Sequence, residues 1–344
     1  MFEINQSSWD QAIKFKEGNS GYSNMDDRVL CLNASPSGCI LSGNSKISTF
    51  ALWLWLAEFF TILNFSAIFE SKDTMWQKIT SVSNPHIREL VRLKNKPAER
   101  KNRGWMIVEG LRELRMALGY PMKAIELIVC RNICSEEKLK EIEPYFSSVL
   151  KTEVGLEVFG RLAYRENSDG FLAIFEADTP RLDSLNLDDD PLVIIIESVE
   201  KPGNLGAILR MADAAGCDAI IVSDPRTDIF NPNVIRASLG TVFTVPLAVA
   251  ESKEVMKWLE QRHITSYAAV IVEDALPYTE MDFTASTAFV LGTEAEGLSP
   301  AWLRFCRHKI MIPMRGRADS LNVSIAAAIL TFEAVRQRNQ PKKA

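Results

Sequence analysis

Three observations predict an α/β protein built from two units. Short, wholly apolar runs recur with helical stretches between them. An acidic, proline-bounded segment, Leu185-Asn186-Leu187-Asp188-Asp189-Asp190-Pro191, separates an earlier set from a later one. The first 74 residues follow neither pattern. Apolar runs without alternation are the mark of strands buried on both faces, and helical crossovers between them imply a largely parallel sheet. A chain of 344 residues holds two domains of ordinary size. The divisions are read as an extension over 1–74, a small α/β domain over 75–180, a linker over 181–191 and a larger α/β domain over 192–340.

The extension opens with turn-rich stretches, Gly18-Asn19-Ser20-Gly21 and Ser35-Pro36-Ser37-Gly38. It then runs into Ile47 to Phe69, 23 residues with Glu58 as their one charge. That length would suit a membrane span. The positive flank is only Lys46, however, and Trp53 and Trp55 lie inside the run rather than at its edges, where interface anchors belong. A secretory signal is disfavoured too, because the run begins far from the N-terminus without a basic start. A packed amphipathic helix, or sequence upstream of a start at Met75, is the expectation, and membrane association is not.

In the second region Asn84-Pro85-His86-Ile87-Arg88-Glu89-Leu90 predicts a helix, with Asn84 as its cap and Pro85 in its first turn. Lys94-Asn95-Lys96 and Arg100-Lys101-Asn102-Arg103 form a basic connector. Trp105 to Val108 predicts a strand, Gly110 to Leu118 a helix, and Leu127 to Val129 another strand. In the third region the buried strands are Leu192–Ile196, Ala219–Val222, Ala288–Leu291 and Lys309–Ile312. Leu205–Ala215 and Glu251–Gln261 are helices between them.

A net charge of −5 does not advertise an anionic partner, but the charge is unevenly spread. Residues 76–115 carry ten Lys/Arg against four Asp/Glu, and residues 302–344 carry nine against two. Two basic regions on an acidic chain fit a localised anionic partner, or simply solvated helix faces. The six cysteines are scattered without a disulfide framework, which suits a reducing cytoplasm. Cys130 and Cys134 lack a second pair to complete a zinc site, and the three histidines are isolated, so no metal is expected.

Ligands of parallel sheets collect beyond the carboxyl ends of the strands, and three polar segments fall there. The first, Glu197 to Arg210, carries Gly203 and Gly206, with Asn204 as an expected helix cap and Arg210 further along the same helix. It is neither a dinucleotide fingerprint nor a P-loop. The second runs Gly292-Thr293-Glu294-Ala295-Glu296-Gly297-Leu298-Ser299, which on its own reads equally as a turn ahead of a helix opened by Ser299-Pro300. The third, Pro313 to Leu330, contains Arg315, Arg317, Asp319, Ser320 and Asn322 before a helix rich in small residues, where Ser320 or Asn322 also fits as a plain cap.

NxGxxxR, GTEAEGLS and IPMRGRADSLNVSIAA, in that order and each after a strand, resemble the three signature motifs of the SpoU (TrmH-like) family of 2′-O-ribose RNA methyltransferases. The resemblance runs from about Trp76 to the C-terminus and is most specific from Leu192 onward. The matching residues are Asn204, Gly206, Arg210, Gly292, Glu294, Gly297, Ser320 and Asn322. Lys201 departs mildly, where many relatives carry Asp.

The resemblance implies a trefoil-knotted parallel-sheet methyltransferase domain preceded by a smaller α/β RNA-binding domain, and a homodimer. Knots are otherwise nearly absent from proteins, so this expectation rests on kinship alone. It implies S-adenosylmethionine as cofactor, with Gly292, Ile312 and Leu321 at the backbone contact positions. It implies a catalytic set of Arg210, Asn204, Glu294, Ser320 and Asn322. Arg88, Arg92, Lys94, Lys96, Arg100, Lys101 and Arg103 fit RNA phosphate contacts. The expected substrate is structured RNA, ribosomal or transfer. A knotted RNA-binding assembly factor without catalysis, a base-methylating relative and a dinucleotide-dependent oxidoreductase are the alternatives. Whether Arg210 removes the hydroxyl proton or stabilises developing charge stays open, because a guanidinium is almost always charged.

Overall fold

A computed structural model of the chain describes residues 76–120, 122–293 and 296–340. The apolar run over 47–69 and the reading of 1–74 as an extension lie outside the described residues.

The smaller domain begins with β1 (Gln77–Ile79) and α1 (Pro85–Asn95). Asn84 caps α1 by accepting from the His86 amide, and Pro85 opens it, as the residue types require. Ile87, Leu90 and Leu93 recur at helical spacing and form its buried face. Pro97 stops α1 and starts α2 (Pro97–Arg103), which Gly104 ends in the left-handed region at φ 61°. Next come β2 (Trp105–Glu109), α3 (Leu111–Leu118), β3 (Ala124–Val129), α4 (Glu136–Ile142), β4 (Leu150–Val154), α5 (Leu156–Leu162) and β5 (Phe171–Glu176). The sheet order is β1-β4-β3-β5-β2, with β5 antiparallel to both neighbours and the other pairs parallel.

The larger domain contains β6 (Leu192–Glu197), α6 (Pro202–Ala215), β7 (Ala219–Ser223), α7 (Pro232–Ala237), β8 (Leu247–Ala250), α8 (Ser252–Gln261), β9 (Thr265–Ala269), β10 (Leu276–Pro277), β11 (Thr287–Leu291), α9 (Pro300–Phe305), β12 (His308–Met311) and α10 (Val323–Arg338). Its strands run in the order β10-β12-β9-β11-β6-β7-β8, all parallel. The chain steps outward from β6 to β8, then returns to build the other half, so the order reverses at β6 and β11. A switch point of that kind is where ligands of such sheets bind.

β6 shows why apolar runs rather than alternation encode these strands. Leu192, Ile194 and Ile196 pack with Ile208 of α6 and Leu330 of α10, whereas Val193 and Ile195 pack with Leu259 of α8 and Trp302 of α9. Both faces of the sheet are therefore covered by helices. The first of these cores continues into the smaller domain through Val108, Leu127 and Phe175.

Three expectations need adjustment. Lys201, not Asn204, occupies the N-cap of α6, because Pro202 already takes the first helical position and Asn204 falls in the first turn. Ile312 lies one residue past β12, which ends at Met311. The 181–191 segment is packed rather than free: Leu185 is buried, and Pro180, just before it, accepts from the Val249 amide. Among the described residues no helix is long and apolar enough to cross a membrane.

Candidate cofactor and substrate site

Three loops leave the carboxyl ends of β6, β11 and β12. The first carries Glu197 and Ser198, and Ser198 holds φ at 52° in the left-handed region. Within α6, a Cβ on Gly206 would overlap the Ala237 side chain and lie 2.8 Å from the Ser238 amide. The glycine is thus needed for close packing of α6 on the end of α7. That purpose is structural, although the residue belongs to the motif.

The second loop closes on itself. Thr293 and Gly297 exchange backbone bonds of 3.1 and 3.0 Å, and the Glu296 amide donates to Thr293 Oγ1 at 3.0 Å. Gly297 turns the chain at φ 68°. Any Cβ on Gly292 would collide with the Gly297 carbonyl. Loop closure, more than approach of a ligand, is what this structure asks of Gly292. Glu294 and Ala295 lie outside the described residues.

The third loop ends at Asn322, the N-cap of α10, which accepts from the Ser324 amide at 3.0 Å. Its Nδ2 donates to Asn204 Oδ1 at 3.2 Å. The first and third motifs, 118 residues apart in sequence, therefore meet through two side chains.

The second and third loops enclose a cleft of about 360 Å³ lined by, among others, Leu291, Gly292, Glu296, Leu298, Ile312, Ser320 and Leu321. Val270 and Ile271, beyond β9, close its side. Clefts of this size suit a small-molecule ligand, and apolar walls with a few polar groups can bracket a heterocycle. All three residues expected at the cofactor, Gly292, Ile312 and Leu321, line it together with Ser320. Asn204, Asn322 and Arg210 do not. Arg210 is exposed on α6.

Several contributors lie outside the residues expected from the motifs. Glu197 is buried at the end of β6, and its Oε2 accepts from the Ser299 amide at 2.8 Å, fastening the second loop to the first strand. A carboxylate closing an otherwise apolar run was the available signal. Trp302 Nε1 donates to Ser252 Oγ at 2.9 Å, and Ser252 also bonds Asp224 and Ser223, tying α9 and α8 to the end of β7. The described cysteines are all buried, and burial pushes the Cys217 and Cys306 thiols up to about 12. No cluster capable of holding a metal occurs among the described residues.

The basic connector divides in two. Arg88, Arg92, Lys96 and Lys101 are exposed on α1, α2 and the turn joining them, as phosphate contacts require. Arg100 is a correction. It is only 4% exposed, and its guanidinium is spent on Asp228 Oδ2 at 2.6 Å and on the Leu93 and Lys94 carbonyls. It joins the two domains instead of facing a nucleic acid. Lys94 donates to the Arg161 and Ala163 carbonyls, and its partial burial lowers its pKa. Arg103 pairs with Glu89 and Glu99 and lies over Trp105.

Comparison with known proteins gives a consistent picture. Residues 191–332 match the model of the SpoU rRNA Methylase family, and residues 84–173 match that of the MRM3-like substrate binding domain. The crystal structure of an RNA 2′-O ribose methyltransferase is 35% identical, covers 76% of this chain and 99% of its own, and superposes with a TM-score of 0.66. The AdoMet-bound rRNA methyltransferase from Sinorhizobium meliloti is 28% identical, over 76% of this chain and 97% of its own, with a TM-score of 0.69. The 23S rRNA (uridine(2479)-2′-O)-methyltransferase of Streptomyces viridochromogenes is 36% identical over 172 residues, 48% of this chain and 60% of that enzyme.

Proposed function

The chain belongs to the SpoU rRNA methylase family, and from that premise we propose that it transfers the methyl group of S-adenosylmethionine to a ribose 2′-hydroxyl of structured RNA, ribosomal before transfer. The observation that carries the reading is the Asn322–Asn204 bond beside the apolar cleft, which joins the first and third motifs at the switch point of the sheet.

The cleft fits the cofactor chemically. Ile312, Leu321 and Leu298 offer apolar faces for an adenine, and backbone amides and carbonyls of the second and third loops offer its hydrogen bonds. When bound, S-adenosylmethionine supplies a methyl group already activated on a sulfonium, so the chain's residues have only to orient the hydroxyl and manage its proton. Asn204 and Asn322 orient the ribose by hydrogen bonding, and Ser320 holds the polar side of the cleft. Glu294 is assigned to the same site by the resemblance. Arg210, a permanent cation, stabilises the charge that develops on the 2′-oxygen. Removal of the proton by Arg210 itself asks more of a guanidinium.

Arg210 lies outside the cleft of its own chain, and a homodimer would bring it to the partner's cleft. Ile325 and Phe332 support that assembly, because they stand exposed one above the other, seven residues apart on α10. RNA is held on the smaller domain by Arg88, Arg92, Lys96 and Lys101, which fix position without reading sequence. Ribosomal RNA is the favoured substrate because the matched relatives act on it by name. The domain divisions 75–180 and 192–340 serve recognition and chemistry respectively, and the site of action is the cytoplasm.

Transfer of tritium from labelled S-adenosylmethionine to total RNA of cells lacking this chain tests the reading. Incorporation that Arg210→Ala abolishes is the expected result. Cofactor binding without any incorporation would favour a non-catalytic assembly factor.

A further inference from the structure

Arg226 belongs to none of the three motifs, yet it lies between two of them. It follows β7, at the same edge of the sheet as the motif loops. Its Nη1 donates to Glu200 of the first loop, and its Nη2 lies 3.6 Å from Glu296 Oε2 of the second. Glu296 itself lines the cleft.

The segment that presents Arg226 is held at both ends. Upstream, Asp224 accepts from the Ser252 amide and hydroxyl. Downstream, Asp228 Oδ1 accepts from the Phe230 amide at 2.9 Å, and its Oδ2 accepts from Arg100 of the smaller domain. Arg100 in turn grips the carbonyls at the end of α1, the helix that carries Arg88 and Arg92. A set of polar contacts therefore leads from the basic helix to the first motif loop and to the second, which lines the cleft.

The geometry points to Arg226 as a positioning residue for methyl transfer: it clasps the cofactor loop through Glu296 and the first loop through Glu200, from a segment that Arg100 fixes to the RNA-recognition domain. The inference rests on the reading of the cleft as a cofactor site. Arg226 does not touch the reacting atoms. Its effect comes from holding Glu296 and the turn Thr293–Gly297 against the first loop. Both pairs are solvent-exposed, so the clasp sets the resting geometry of the loops and does not contribute the bulk of binding.

Titration calorimetry of S-adenosylmethionine with the full chain, alongside KM for an rRNA transcript, tests this. Arg226→Gln should weaken cofactor binding by roughly three- to ten-fold, the range expected when exposed ion pairs are lost. Arg226→Lys should keep most of the affinity, and Arg226→Glu, which sets like charges against both Glu200 and Glu296, should weaken binding further than Arg226→Gln. The KM for RNA should move less than the cofactor dissociation constant. Unchanged cofactor binding in Arg226→Gln, or a loss confined to the RNA KM, would overturn the clasp and the latter would mark Arg226 as a phosphate contact. Should Arg226→Gln fail to fold, Glu296→Gln removes the same link to the cofactor loop and must weaken binding likewise. A wild-type chain that binds no S-adenosylmethionine would overturn the reading of the cleft and the clasp with it, whereas normal wild-type binding with an unaffected variant overturns the clasp alone.

Discussion

Asn322 Nδ2 donates to Asn204 Oδ1 across 3.2 Å, while Asn322 Oδ1 accepts from the Ser324 amide and hydroxyl. One side chain thus caps α10 and joins two motifs. The two duties can be separated. Asn322→Ser retains a cap but is too short to reach Asn204. It should leave thermal stability within about 1 kcal/mol of wild type and reduce kcat at least tenfold in a methyl-transfer assay. Equal loss of stability and activity would make Asn322 a cap only.

Gly292→Ala places a methyl group on the Gly297 carbonyl. The turn between Thr293 and Gly297 then has to open, and overpacking of this kind costs roughly 1–3 kcal/mol. Because that turn forms a wall of the cleft, cofactor affinity should fall more than global stability. Calorimetric titration set beside a thermal melt separates the two.

Arg100→Met tests the domain junction. Removing the cation strands the Asp228 carboxylate, which is only 23% exposed, and loss of one partner of such a pair costs roughly 3 kcal/mol. Stability should drop by about that amount in urea unfolding, while S-adenosylmethionine affinity changes less. A surface role in RNA binding would give the reverse, a raised KM for RNA in a chain of normal stability.

His86 makes stability depend on pH. Its Nε2 hydrogen-bonds the buried Glu126 carboxylate, which raises the imidazole pKa above its ordinary 6.5 despite partial burial. A raised folded-state pKa contributes stability that is complete below the ordinary value and is lost as pH rises through the folded one. His86→Ala should therefore lower Tm more at about pH 5.5 than at about pH 9. A destabilisation independent of pH would show that packing alone is involved.

Much of the larger domain was legible because its strands are buried on both faces. The unbroken apolar stretch at Leu192–Ile196 leaves a parallel sheet as the simplest reading. The cleft was legible through the resemblance, which assigned Gly292, Ile312 and Leu321 to the cofactor, on loops that leave β11 and β12 where ligands of such sheets gather. The contributions of Arg100 and Arg226 were not legible. A run of basic residues looks alike whether each cation faces solvent or a partner, and Asp228 lies 128 positions from Arg100 in the sequence. Asn204 was misplaced as a cap because the helix starts at Pro202, three residues earlier than expected. Gly206 and Gly292 were identifiable as special, but only the structure reveals that Ala237 and Gly297 are what they must accommodate.

Methylation of a ribose hydroxyl is distinguished from other outcomes by the chemistry of the product. RNA from cells with and without this chain is hydrolysed in alkali and the resistant positions are mapped, since a 2′-O-methyl group blocks cleavage at its own nucleotide. A resistant position that disappears with the chain, and returns with wild type but not with Arg210→Ala, is the predicted result. A methylated base at an alkali-sensitive nucleotide, or no change at any position, would contradict it.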